Sequence, residues 1–147
     1  MQKNMAFKVF IDANILLDFT LKRSDYERAK QIIALSVNGT IEAFITPSIV
    51  HIIGYWLTKE YGNTKAKEIL LTILSDITVI DIPHEIVLNA LHSKINDIED
   101  ALQYYTAIHH KLDYFISRDK QLQKQSIPTL PVYTPKEFLG KSNRQEV

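Results

Sequence analysis

A chain of 147 residues, 46% hydrophobic and 23% charged, suits one domain with a sizeable core. Its 17 basic and 17 acidic residues give a formal net charge of zero, which excludes nucleic-acid contact by bulk attraction and leaves only a local basic patch to supply it. It has no cysteine, which excludes disulfides and thiolate metal sites and suits a cytoplasmic protein, and no apolar run approaches the roughly eighteen residues of a membrane span.

The N-terminus "MQKNMAFKVF" is too short and polar for a secretory signal and runs into a strand. Phe7–Ile11, "FKVFI", is nearly all apolar and reads as a strand buried on both faces. "NILLDFTL" forms a short helix. Ser24 or Asp25 caps the next, "YERAKQIIALSV", which stops at Asn38-Gly39. Ile41–Thr46 is a second strand, and Thr46-Pro47 opens a helix through "SIVHIIGYWLTKEY" to Gly62. Asn63 caps "TKAKEILLTIL". Ile77–Ile82 is a third strand, and Pro83 starts "PHEIVLNALHS". Asp97 begins a helix running to about His110. Asp113–Ser117 is a fourth strand, "LPVY" a short fifth, and Thr134-Pro135-Lys136-Glu137 is a capping box for a terminal helix.

Strands separated by helices imply parallel pairing and right-handed crossovers. The expected fold is an α/β three-layer sandwich with a central, mainly parallel sheet flanked by helices. One domain spans residues 1–140, and a polar tail, 141–147, frays.

The acids fall at telling places on this scaffold. Asp12 directly follows the first strand, and Asp119 lies two residues beyond the fourth. Asp97 and Asp100 open the helix before that strand, three apart and so on one face, with Glu99 between them. Ligand sites in parallel α/β sheets lie beyond the carboxyl ends of the strands. Acids gathered there repel one another, and a divalent cation relieves the conflict. Oxygen-only donors favour Mg²⁺ or Mn²⁺ over Zn²⁺. Each acid taken singly has an ordinary reading, since aspartate at a helix start caps it and answers its dipole. The ordered set of strand end, helix start and strand end is the signal.

"VFIDANILLDF" (9–19), "DIEDALQYYTAI" (97–108) and "DYFISRD" (113–119) resemble the PIN-domain ribonucleases, most of all the toxin half of bacterial toxin–antitoxin pairs. The resemblance runs from about Lys8 to Leu139. It implies a parallel sheet flanked by helices, metal held by Asp12, Asp100 and Asp119, and a catalytic set of those three with Asp97. It makes Asn14 and Ser117 the small polar residues that steer the carboxylates. It also implies an RNA substrate, a homodimer and a small antitoxin partner. The family usually carries a further acid early in the helix after the second strand, near His51 or Ile52, and neither is acidic here; Glu60 is about two turns too late. That departure weighs against a second metal.

The implied chemistry is metal-assisted hydrolysis of RNA, with Asp97 or Asp119 accepting a water's proton. Lys22, Arg23, Arg118, Lys120 and Lys124 are candidates to grip the backbone, Arg118 first among them for its place in the strand-end loop. Tyr104, Tyr105 and Tyr114 read better as core than as base-stacking platforms. His51 reads as a packed helix residue, and "SIVHIIGYWL" is apolar on more faces than one core contact needs. Two alternatives stand: a catalytically weak or inactive PIN-like module that binds RNA or protein, and, ranked last, a receiver-like phosphoacceptor domain built around Asp81.

Overall fold

The computed structural model describes the backbone of residues 6–145; the leader 1–5 and residues 146–147 lie outside the described part, as do the side chains from 142 onward. The order is β1 (Phe7–Ile11), α1 (Ala13–Thr20), α2 (Tyr26–Val37), β2 (Ile41–Ile45), α3 (Pro47–Tyr61), α4 (Asn63–Ile73), β3 (Ile77–Val79), α5 (His84–His92), α6 (Ile98–His109), β4 (Tyr114–Ile116), α7 (Lys120–Lys124), β5 (Val132–Tyr133) and α8 (Pro135–Gln145).

Five strands form one sheet in the order β3-β2-β1-β4-β5, and every neighbouring pair is parallel. β1 is central. The chain moves outward from it through β2 and β3, then crosses back to its other side for β4 and β5. The strand order therefore reverses between β1 and β4, and the carboxyl ends of those two strands open the crevice where such sheets bind ligands. Ile11 pairs with Ile116, so Asp12 and Ser117 emerge side by side, and the Asp12 amide donates to the Ile116 carbonyl at 3.1 Å.

Val9, Phe10, Ile11, Ile45, Phe115 and Ile116 from the strands pack with Ile15, Leu16, Ile49, Ile53, Leu57 and Tyr104 from the helices as one core. Phe10 stacks on Phe115 at 4.8 Å between ring centroids, which joins β1 to β4 directly below the crevice.

Local chemistry shifts several boundaries. Only the last three residues of β1 are buried; Phe7 and Lys8 are exposed, so the strand is not covered along its length. β3 is shorter than expected. Its last ladder bond runs from the Ile80 amide to the Ile45 carbonyl at 2.8 Å, and Pro83 brings no donor to extend the pairing. β2 ends at Ile45 because Thr46 turns into a helix cap, its hydroxyl accepting from the Ile49 amide. Asp25 stands at the start of α2 but pairs with Arg28 at 3.1 Å instead of capping with its side chain. Gly62, not Asn63, joins α3 to α4, at φ 86°, where a side chain would be strained. α8 forms its capping box between Thr134 and Glu137 and continues through Gln145, so the described part of the stretch expected to fray is helical. Among the described residues no helix is long and apolar enough to cross a membrane.

Candidate active site

Asp12 ends β1 and caps α1. One carboxylate oxygen accepts from the Ala13 amide at 2.7 Å, the other from Ser117 Oγ at 2.8 Å. Ser117 is buried at the end of β4 and also accepts from the Asp119 amide at 3.1 Å, so one hydroxyl ties the first acid to the loop that carries the last. Asp119 caps α7, a single helical turn that the sequence reading missed, with Oδ1 accepting from the Gln121 and Leu122 amides at 2.9 and 3.1 Å. Asp97 caps α6 through the Asp100 amide at 2.9 Å, which places Asp100 in that helix's first turn. α6 is held there by its inner face, where Ala101, Tyr104 and Ala107 are buried and the Tyr104 hydroxyl donates to the Leu130 carbonyl at 2.6 Å.

Electrostatics show which acids meet. Asp100 is pushed up to about 8, first by burial, then by a carboxyl–carboxyl hydrogen bond with Asp119 and by the charges of Asp97, Asp12 and Asp119. Burial also works to raise Asp119, but the Asp100 hydrogen bond and the Leu122 and Gln121 amides outweigh it and hold Asp119 low. The two titrate as a coupled pair, with Asp100 raised and Asp119 lowered. Burial lifts Asp12; the Ser117 and Ala13 hydrogen bonds oppose the lift, Asp119 adds to it and Arg118 subtracts. Glu99 is raised by burial and by Asp12 and Asp97. Five acids from three separate segments, Asp12, Asp97, Glu99, Asp100 and Asp119, thus lie in one another's field.

The donor set fits a hard divalent cation in kind, being anionic oxygen throughout. Among the described residues no three acids yet surround a common point. The Asp100–Asp119 hydrogen bond would have to open, and its proton leave, to admit an ion.

Other expected residues fall outside this cluster. Asn14 is exposed on the first turn of α1, and the donors that hold Asp12 are Ser117 and Ala13 instead. Arg118 pairs with Asp18 of α1, its Nη2 lying 3.3 Å from that carboxylate, which is 1% exposed, while the arginine's own side chain is 40% exposed. Arg23 also acts on Asp18, and Lys22 precedes it in a left-handed turn at φ 52°. His51 faces solvent beside α4, and Ile52 packs against the core, so the further acid that the resemblance implies has no replacement at that point.

Sequence reasoning missed two features. Asp18 was visible only as a lone charge inside "NILLDFTL". Gln103, one turn beyond Asp100, forms a closed triangle with the cap of α3. Thr46 Oγ1 donates to Gln103 Oε1 at 2.6 Å, and Gln103 Nε2 donates to Ser48 Oγ at 2.6 Å. The Thr46 proton being used, Ser48 donates back to Thr46 at 3.0 Å.

A parallel sheet with acids gathered at its switch point has the layout in which α/β proteins hold ligands at the carboxyl edge of their strands. The chain belongs to the PIN-domain family, whose model matches residues 8–121. No curated protein matches it by sequence. Its fold is similar to that of VapBC2 from Rickettsia felis, solved on a DNA fragment from its promoter, at 16% identity and TM-score 0.65 over 87% of this chain and 98% of that one. A toxin–antitoxin complex from Klebsiella pneumoniae is similar at 22% identity and TM-score 0.65, over 86% of this chain and 97% of the other. VapC20 of Mycobacterium tuberculosis, a toxin that cleaves the sarcin–ricin loop, is similar at 10% identity and TM-score 0.64, over 81% and 95%. At these identities the likeness is one of fold.

Proposed function

We propose that the protein is a Mg²⁺- or Mn²⁺-dependent endoribonuclease and the toxin of a toxin–antitoxin pair. The observation that carries this reading is the gathering of half-buried Asp12, Asp100 and Asp119 from three segments, with Asp100 raised to about 8 first by burial and then by the other acids. Amides and Ser117 answer part of these charges, but Asp100 is left in the field of Asp97, Asp12 and Asp119, as functional clusters of acids are.

Asp12, Asp100 and Asp119 would hold the ion. When bound, it would supply a water of lowered pKa and offset the charge of a phosphate oxygen. Ser117 and the Ala13 amide fix the direction of Asp12. Asp119, held low by two amides, is a poor proton acceptor. Asp97 is exposed and uses one oxygen for its cap, which leaves the other to take the proton of the attacking water. Attack in line at phosphorus breaks the bond to the 3′ oxygen, which takes a proton from solvent water as it leaves. One fragment then carries a 5′-phosphate and the other a 3′-hydroxyl.

A homodimer and an antitoxin that masks the cleft belong to the same reading, as does a cytoplasmic setting. Tyr55 and Trp56 stand exposed on α3, Tyr55 opposite the buried Ile49, Ile53 and Leu57 and Trp56 at the flank of that stripe, and offer a face for a second copy. The toxin–antitoxin complexes from Klebsiella pneumoniae and Rickettsia felis, alike in fold, support the antitoxin.

The aliphatic Ile52 favours a second reading, a module that binds RNA or protein without cutting it. Incubation with single-stranded RNA in Mg²⁺, Mn²⁺ or chelator, beside Asp12→Asn and Asp100→Asn, separates the two. The nuclease reading expects metal-dependent cleavage, lost in both variants and leaving 5′-phosphate ends. RNA bound but uncut by every form would establish the module.

A further inference from the structure

Next to the acid cluster lies an open groove of about 650 Å³ that the proposed chemistry does not use. It begins at Lys120, the residue after Asp119, and runs past the end of β5 to α8, where Lys136 and Lys141 line it. Three cations face one carboxylate there, that of Glu137. This carboxylate is already engaged: Oε1 accepts from Gln123 Nε2 at 2.8 Å and from the Thr134 amide at 3.0 Å. A local excess of positive charge on a chain of zero net charge marks a surface for an anion.

Two further features favour a nucleic-acid backbone over a small anion. The groove is lined from two helices, α7 and α8, and from the carboxyl end of β5, and Lys120 in its lining is the residue after Asp119. Lys141 is also held in place, its Nζ lying 5.7 Å from the Tyr114 ring centroid and 5.8 Å from that of Tyr133. A lysine already ordered over aromatic rings loses less freedom when it meets a phosphate.

We infer that the groove lined by Lys120, Lys136 and Lys141 binds the phosphates of single-stranded RNA on one side of the scissile bond. This inference rests on the nuclease reading and names the track by which substrate reaches it.

The test is binding of a labelled single-stranded RNA to the Asp12→Asn protein in chelator, by fluorescence anisotropy across a salt series. Asp12→Asn carrying Lys136→Gln and Lys141→Gln should bind about tenfold more weakly at 0.1 M salt. Its log–log salt slope should be shallower by about 1.4, two phosphate contacts at about 0.7 each. Lys65→Gln with Lys67→Gln, on α4, should leave the slope unchanged, and all variants should melt alike. An unchanged slope in the groove variant overturns the inference. So does tighter groove-dependent binding of a ten-residue glutamate peptide than of the RNA, which would assign the groove to an acidic protein partner. If the unsubstituted protein cuts no RNA while the slope still depends on Lys136 and Lys141, the nuclease reading fails and the groove stands.

Discussion

Two polar clusters sit at the carboxyl edge of the same sheet and handle their polarity in opposite ways. Beyond β2, Thr46, Ser48 and Gln103 close a triangle in which each hydrogen-bond group answers another, with Thr46 and Gln103 buried. That is how polar groups stabilise a fold: neutral, paired and withdrawn from water. Beyond β1 and β4, Asp12, Asp100 and Asp119 are half-buried and push against one another. The Asp18–Arg118 pair lies between these extremes, a buried charge with a cation whose own side chain is 40% exposed. The first cluster ties α6 to α3, and the second leaves its acids in one another's field. Their contrast separates structure from function without appeal to either cluster's composition.

Breaking the acid cluster should have the largest effect on activity and the least on folding. Asp12→Asn should lower RNA cleavage by about 10²–10⁴-fold, with a melting temperature close to the parent's; a variant that cuts as well as the parent would place the chemistry elsewhere. Removing the cation that answers Asp18 should do the reverse. Arg118→Ala leaves a buried carboxylate unpaired and should cost about 3 kcal/mol in urea unfolding. Asp18→Asn should cost less, and the double variant less than the sum. Additive losses would show that the two residues do not act as a pair.

Opening the neutral triangle should cost about 2 kcal/mol. Gln103→Ala strands the Thr46 hydroxyl and Ser48, so chemical denaturation should detect the loss even in chelator. The smallest effect is a matter of pH. The Asp100 carboxyl keeps its proton in the folded state up to about 8, while the unfolded chain releases it near 3.8. Between those values the native state binds more protons, so this group's contribution to stability falls as pH rises. The low Asp119 carboxyl acts in the other direction, its contribution being lost only as pH drops below that window. In chelator, Asp100→Asn should therefore be more stable than the parent at pH 8, by about 1 kcal/mol once solvent screening of a half-buried group is allowed for. The two should converge near pH 4. A parent that gains stability on Asp100 ionisation would contradict the charge account.

Much of this was legible in the sequence because it is local. An apolar run that stops at an acid gave the end of β1. Asp97 with Asp100 three residues on gave the start of α6, and Thr134 with Glu137 gave that of α8. The alternation of strands and helices gave the parallel sheet. What remained hidden depends on contacts between distant segments. The placing of β1 between β2 and β4 follows from packing and leaves no mark in any window of the chain. The pairing of Arg118 with Asp18 was hidden because the two are 100 residues apart, Asp18 lying on α1. The role of Gln103 was hidden because its partners Thr46 and Ser48 belong to another crossover. α7 escaped because five residues carry too little periodicity to read.

The central claim is that Asp12, Asp100 and Asp119 form one site whose mutual repulsion a divalent ion relieves. Calorimetric titration with Mn²⁺ at pH 7, in two buffers of different ionisation enthalpy, tests it most directly. Binding to the parent should release about one proton, from the Asp100–Asp119 pair, and Asp100→Asn should release none. Binding without proton release, or binding that survives unchanged in both Asp12→Asn and Asp100→Asn, would contradict it.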